Sequence, residues 1–140
     1  MSASTKLSTS VKALCYLEQT YPNPISSSEI AAAIGINSSK LRMILSMLAK
    51  NGIVDSNSGA TGGFKLKKNP QDIHLQEIYC AIEDRKAFHL DVRKDSIKKN
   101  SLPEKLNIFF LDLFAEVQVD IEDKMKTITL ESIIKKIKTY

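Results

Sequence analysis

The sequence predicts a mainly α-helical fold with one small β-hairpin. Three observations lead to this class: two short helical segments on either side of Gly35, a glycine-rich turn at residues 58–63 that leads into the alternating strand 64–68, and a long apolar-striped helix after Pro103. Two helices followed by a hairpin are the order of elements in a winged helix-turn-helix. The predicted fold is therefore a winged helix-turn-helix followed by a long C-terminal dimerisation helix.

The first two helices are marked by apolar spacing and by capping residues. Apolar residues at helical intervals predict an amphipathic helix over about residues 6–20, which Pro22 stops. Ser26 and Glu29 make a capping-box pattern, so a second, short helix is expected to begin there. Gly35 is expected to end it, because glycine accepts the left-handed conformation that often follows a helix.

The third helix and the hairpin follow directly. Asn37 or Ser38 is expected to cap a helix over residues 38–50. Residues 53–54 predict a first strand, and residues 55–68 form the predicted wing, whose return strand alternates apolar and basic side chains. The stripe of the third helix that is expected to be buried has i, i+3, i+4, i+7 spacing: Leu41, Ile44, Leu45 and Leu48.

Further helices are predicted after the wing. One is expected from Leu75 to about Asp84, and Ser101 with Glu104 makes a second capping-box pattern before the long helix. The chain is thus expected to fall into three parts: a winged helix-turn-helix domain (1–84), a charged connector (85–102), and the dimerisation helix with a short C-terminal helix (103–140).

Length and composition fit a small globular protein. The 140 residues are 43% hydrophobic and 26% charged, which is enough apolar chain for a core without disulfides or metal. Only two cysteines are present, without a CxxC pattern, so a reducing cytoplasm is the expected setting. The polar first ten residues predict no signal peptide, and no apolar run is long enough to span a membrane.

Positive charge collects in the helix-turn-helix and the hairpin. The whole chain carries a net charge of +4, whereas residues 35–70 hold six basic residues against one acid, Asp55. Clustered positive charge on a helix and a hairpin is expected of a protein that binds nucleic acid. The six basic residues are Lys40, Arg42, Lys50, Lys65, Lys67 and Lys68.

The third helix has the features of a DNA recognition helix. With its apolar stripe facing inward, its outward arc contains Ser39, Met43, Ser46 and Lys50. Serine hydroxyls and free backbone N–H groups at its N-terminus suit phosphate oxygens, and Arg42 can pair with guanine. The glycines of the wing permit a close approach to DNA, and the lysines at its base, including Lys65, can hold the backbone. The partner predicted is double-stranded DNA.

The helix order, the turn at Gly35-Ile36 and the segment Gly59-Ala60-Thr61-Gly62-Gly63-Phe64-Lys65-Leu66 together resemble the Rrf2 family of bacterial transcription regulators. That family includes an iron–sulfur cluster regulator and a cysteine-metabolism repressor. The resemblance implies a homodimeric repressor that binds a palindromic operator. It also implies a set of DNA-contacting residues on the first helix, the recognition helix and the wing: Lys6, Ser8, Thr9, Ser38, Ser39, Lys40, Arg42, Ser58, Gly59 and Ala60.

The long helix is expected to form the dimer interface in this resemblance. The long helices of two subunits would cross there, and the wing departs from the usual Gly-Pro-Gly-Gly-Gly-Tyr pattern at Ala60 and Thr61. The apolar residues expected at the interface are Leu106, Phe109, Phe110, Leu113, Val117 and Ile121.

The cysteine pattern departs from the cluster-binding members of the family. Those members carry three cysteines before the long helix, whereas this chain has none after Cys80, and Ser101 stands about where one would fall. The chain is therefore expected to belong to the branch that lacks the iron–sulfur cysteines, with no cofactor and no metal.

The cysteines and histidines give weaker indications. Cys15 and Cys80 both lie in apolar helical patterns and are expected to be core residues, with Cys15 as a candidate redox sensor. His74 is a candidate helix cap, and neither it nor His89 has metal-ligand spacing with another His or Cys. No nucleophile–base arrangement can be assembled, so the protein is not expected to be an enzyme.

Two other functions remain open from the sequence. A winged helix can also serve as a protein-interaction module that does not bind DNA. A small-molecule effector could bind between the winged domain and the long helix, because Phe88, Phe109, Phe110 and Phe114 lie near that junction. The second idea competes with the simpler one, that these aromatic residues form the dimer core.

Overall fold

The fold is described from a computed structural model, which covers residues 1–83 and 97–140. The described residues form a winged helix-turn-helix and a long helix, which confirms the predicted fold class. Most of the charged connector predicted at 85–102, and the end of the helix expected to reach Asp84, lie outside the described residues. The elements are α1 (Ala3–Thr20), α2 (Ser27–Ile34), α3 (Ser38–Lys50), β1 (Val54–Asn57), β2 (Gly63–Leu66), a 3-10 turn (Pro70–Asp72), α4 (Leu75–Ile82), α5 (Leu102–Lys126) and α6 (Leu130–Ile137).

The helix starts are set by side chains that accept backbone N–H groups. α1 begins earlier than predicted because Ser2 Oγ accepts the N–H of Thr5 at 3.2 Å. Ser26 caps α2 in the same way, accepting from Glu29 at 3.1 Å. His74 caps α4, as expected: its Nδ1 accepts the N–H of Glu77 at 3.1 Å.

The sheet is a single antiparallel hairpin. Val54 pairs with Leu66 and Ser56 with Phe64, so the apolar side chains of β2 face the core while the tip projects away. The first strand begins at Val54 and extends to Asn57, about one residue later at its start than the predicted 53–54. Ile25, in the link between α1 and α2, adds a short bridge to Phe64 with two backbone hydrogen bonds of 2.9 and 3.0 Å.

The core of the winged head is built from α1, α2, α3, α4 and the sheet, and it also takes in α6. Leu14, Leu45 and Ile78 are fully buried in it, and so is Leu130, the first residue of α6. The backbone joins α6 to the head as well, because Leu130 donates to Ile73 O and Leu75 donates to Ile128 O, both at 2.8 Å. The sequence had grouped α6 with the long helix in 103–140.

Two compact units result: Met1–Asp84 with Met125–Tyr140, and Arg85–Lys124, which contains most of α5. Ser101 Oγ accepts the N–H of Glu104 at the start of α5, and the Glu104 carboxylate accepts the N–H of Asn100. Along α5, the large apolar side chains of Leu106, Phe109 and Phe110 are 45%, 58% and 39% exposed.

Candidate nucleic-acid interface

The N-terminus of α3 is held by Asn37. Its Oδ1 accepts the N–H groups of Ser39 at 2.8 Å and Lys40 at 3.2 Å. Two of the four backbone donors that begin a helix are therefore already used. These two N–H groups are therefore not free to bind a phosphate, contrary to the expectation from the sequence.

The outward face of α3 is exposed and positively charged. Lys40, Arg42 and Lys50 are exposed, and none of them forms an ion pair with a residue in the described part of the chain. The stripe on the opposite side is buried to 2% exposure or less, as the sequence predicted: Leu41, Ile44, Leu45 and Leu48. The helix is thus fixed on one side while its cationic side remains free to meet a polyanion.

The hydroxyls on this face differ in what they can offer. Ser39 is exposed and Ser38 is half-buried. Ser46 is exposed, but its Oγ donates to the carbonyl oxygen of Arg42 at 2.8 Å, so its proton is used within the helix. Ser39 is the hydroxyl best placed to donate to a partner.

The tip of the wing is accessible, while its glycines serve mainly the fold. Ser58, Gly59 and Ala60 are exposed. A Cβ on Gly62 would lie 2.4 Å from the carbonyl oxygen of Asn57, and one on Gly63 would lie 2.6 Å from that of Ile25. Gly62 thus closes the hairpin, and Gly63, with φ of +144°, lets Ile25 pair with the wing. This internal role was missed by the sequence reading, which assigned these glycines to DNA approach.

The lysines at the base of the wing are not equivalent. Lys68 Nζ lies 2.6 Å from Glu77 Oε2, so this cation is already paired with a carboxylate and carries less free positive charge than the sequence suggested. Lys65 is half-buried, and its Cα partner across the hairpin is Asp55, an acid that lowers the local positive potential. Lys67 is exposed and has no ion pair within the described residues, so it is the strongest cation of this group.

The three candidate residues on α1 are placed differently from one another. Lys6 Nζ lies 3.2 Å from Glu83 Oε1, in an ion pair that joins α1 to the end of α4. Thr9 is 4% exposed, and a side chain buried to this degree cannot reach a phosphate without rearrangement. Ser8 is exposed, although its Oγ donates to the carbonyl oxygen of Thr5 at 3.1 Å. Of the three, only Ser8 presents a freely accessible side chain.

The structure changes the interpretation of both cysteines. Burial raises the pKa of the Cys15 thiol, and the negative charge of Glu18, one turn away, raises it further. A raised pKa leaves less thiolate, which disfavours the redox-sensor role suggested for Cys15. Cys80, which was expected in the core, is exposed, and its Sγ accepts a hydrogen bond from Gln76 Nε2 at 3.3 Å.

Within residues 1–83 and 97–140, no group of three or more His, Cys, Asp or Glu side chains is placed to hold a metal ion. His89 and Phe88 lie outside the described residues, and so does part of the suggested aromatic effector pocket. In the same described ranges, no helix is long and apolar enough to cross a membrane.

Comparisons with known proteins identify the fold and the family. The pattern of the Rrf2 family, described as an iron-dependent transcriptional regulator, matches residues 3–136. The chain belongs to the Rrf2 family. It is therefore a DNA-binding transcription regulator and not an enzyme, which confirms the DNA-binding role predicted from the helix-turn-helix and the wing.

Individual relatives agree with this membership. This chain is 28% identical over 109 residues to YwnA of Bacillus subtilis, described as an HTH-type transcriptional regulator, with coverage of 78% of this chain and 80% of the relative. It is 28% identical to the solved structure of IscR from T. potens, with a TM-score of 0.70 and coverage of 98% and 88%. A transcriptional regulator from Lactobacillus plantarum shares the fold at a TM-score of 0.82, with 20% identity and coverage of 95% and 89%.

The iron in the family's description does not fit the donors of this chain as a thiolate-bound cluster. Iron–sulfur clusters are usually held by about four ligands, most of them cysteine thiolates. The present chain has two cysteines in total. One of them, Cys15, is half-buried with a raised thiol pKa, which disfavours the thiolate that iron would need.

Proposed function

We propose that this protein acts as a homodimeric repressor that reads a palindromic operator through α3 and the wing. The observation that carries the proposal is the outward face of α3, where Lys40, Arg42 and Lys50 are exposed without ion pairs among the described residues. Cations that no carboxylate neutralises can replace the counterions of DNA phosphates. The cytoplasm, where DNA is accessible, is the proposed setting.

Roles within the interface follow from what each side chain can still donate. Arg42 carries a planar fork of N–H groups, which suits the O6 and N7 atoms of guanine in the major groove. Ser39 and Lys40 at the start of the helix suit phosphate oxygens, with Ser38 beside them. The exposed wing tip would contact the neighbouring groove through Ser58, Gly59 and Ala60. Lys67, at the base of the wing, would contact the DNA backbone.

The dimer is proposed to form through α5. Leu106, Phe109 and Phe110 present large apolar surfaces, and Leu113, Val117 and Ile121 continue the same stripe with partial exposure. The rings of Phe109 and Phe110 meet edge to face with centroids 5.4 Å apart. A contiguous apolar stripe of this kind on a long helix is typical of helix–helix association. A second copy of the chain would cover it and place two heads on one duplex.

In vitro selection of DNA from a random pool, with the full-length protein, tests the proposal. The expected product is an inverted repeat whose half-sites are about one helical turn or more apart. Affinity for this duplex should fall steeply as salt rises, because bound phosphates release counterions.

Arg42→Ala should weaken binding to the selected duplex by about 1–3 kcal/mol and relax the sequence preference at one position of each half-site. Lys138→Ala, which removes an equal charge from the exposed residue that follows α6, serves as the matched control and should change affinity little. Equal affinity of the Arg42→Ala protein and the parent for the selected duplex would contradict the role of α3.

A further inference from the structure

The centre of the outward face of α3 is occupied by an apolar side chain. Met43 is 57% exposed. On the helix surface its neighbours three and four residues away are Ser39 and Ser46, with Lys50 one turn farther on the same face. Single exposed apolar residues are ordinary on protein surfaces. This one is informative because of its position, among the unpaired cations on the face that would enter the groove.

Met43 differs from the polar groups beside it in the kind of contact that it can make. Ser46 has used its hydroxyl proton on the carbonyl oxygen of Arg42, and Asn37 occupies the N–H groups of Ser39 and Lys40. Hydrogen-bond donation on this face therefore comes from side chains at the two ends of the helix, with Ser39 and Lys40 at one end and Lys50 at the other. Met43 can offer only a polarizable thioether and a methyl group. The apolar group that a base pair exposes in the major groove is the 5-methyl of thymine.

We propose that Met43 determines sequence specificity by packing on the 5-methyl group of a thymine in each half-site. This inference rests on the proposed function, since it requires α3 to lie in the major groove. Met43 follows Arg42 directly in the chain, so the thymine lies within one or two base pairs of the guanine that Arg42 contacts. The unbranched thioether side chain adapts to the methyl group without demanding one fixed rotamer.

The test replaces single thymines by deoxyuracil in the duplex obtained by selection. Deoxyuracil keeps the base pair and every hydrogen-bonding group, and it removes the methyl group alone. Parent protein should lose affinity by about fourfold when the contacted thymine of one half-site is replaced, and by about 15-fold when both are. Replacement of thymines elsewhere in the duplex should have little effect.

Protein variants tie the effect to this side chain. Met43→Gln keeps the length and exposure of the residue, so folding is preserved, and should abolish the deoxyuracil effect at that one position. Ser46→Ala, one turn away on the same face, should keep the full effect. A deoxyuracil series with no loss at any position, or a loss that persists in Met43→Gln, would overturn the inference.

The outcomes distinguish a failure of this inference from a failure of the proposed function on which it rests. If Arg42→Ala weakens binding while the deoxyuracil series is flat, the DNA-binding role of α3 stands and the role of Met43 falls. If selection yields no duplex that the protein binds in a salt-dependent way, both fall together. If Met43→Gln leaves DNA affinity unchanged but weakens binding of another protein, Met43 is a protein contact and the inference is wrong.

Discussion

α3 and α5 are both amphipathic helices, but the apolar stripe of α3 is buried whereas that of α5 is exposed. The stripe of α3 contains Leu41 and Leu45, which are fully buried under the rest of the winged head. The stripe of α5 contains Phe109, which is 58% exposed. The difference indicates that the head completes its core from its own sequence, whereas α5 presents a surface suited to another chain.

The sharpest way to test this contrast is to shorten one apolar side chain in each region. Leu45→Ala removes a fully buried side chain and should lower the free energy of unfolding by about 2–5 kcal/mol, because a cavity replaces its packing. Chemical denaturation followed by circular dichroism measures the change.

The matched variant is Phe109→Ala on α5. It should leave the fold of the head intact and instead weaken dimerisation by about tenfold or more, measured by sedimentation equilibrium over a range of protein concentrations. A Phe109→Ala protein whose dimerisation is unchanged would remove α5 from the proposed interface, and a large loss of head structure would erase the contrast.

A smaller effect is expected from two glycines of the wing. Gly63→Ala should lower the free energy of unfolding by about 3 kcal/mol. The new Cβ would clash with the backbone of Ile25, and residue 63 has a positive φ that alanine disfavours. Gly59→Ala should cost about 1 kcal/mol, since its φ of +103° is unfavourable for alanine but the space around it is open. Thermal unfolding of the two variants side by side measures this ranking, and the reverse order would show that the wing is not held by its bridge to Ile25.

The smallest effect concerns the reactivity of the two cysteine thiols in the head. Because burial and Glu18 raise the pKa of Cys15, a smaller fraction of this thiol than of an ordinary thiol is thiolate at pH 8. The rate at which Cys15 is alkylated should therefore keep rising with pH above the range in which an ordinary thiol reaches its maximum rate. Alkylation by iodoacetamide, followed by mass spectrometry of Cys15→Ser and Cys80→Ser proteins, should modify Cys15 about tenfold more slowly than the exposed Cys80. Equal rates would mean that the head opens around α1.

The sequence was a good guide wherever the determining interactions are local. The cap of α2 at Ser26, the buried stripe of α3 and the cap of α4 at His74 all depend on residues within about one or two turns, and all were predicted. The family resemblance rested on the same local pattern of helices and wing, and the family is confirmed.

Non-local contacts account for most of what the sequence did not reveal. Lys6 is used by Glu83 and Lys68 by Glu77, so two cations that look available in the sequence are already paired in the fold. The need for Gly63 comes from Ile25, which lies far away in the chain. The exposure of Cys80 likewise depends on which side of α4 the neighbouring helices cover, and an apolar pattern in a short helix does not determine that side.

The way α6 joins the head has a consequence for biosynthesis. Leu130 is part of the head's buried core, yet the ribosome makes it only after the whole of α5. The nascent chain therefore cannot finish its winged head before α5 has been translated. A regulator made in this order has a complete head only on chains that already carry α5, the proposed dimerisation helix.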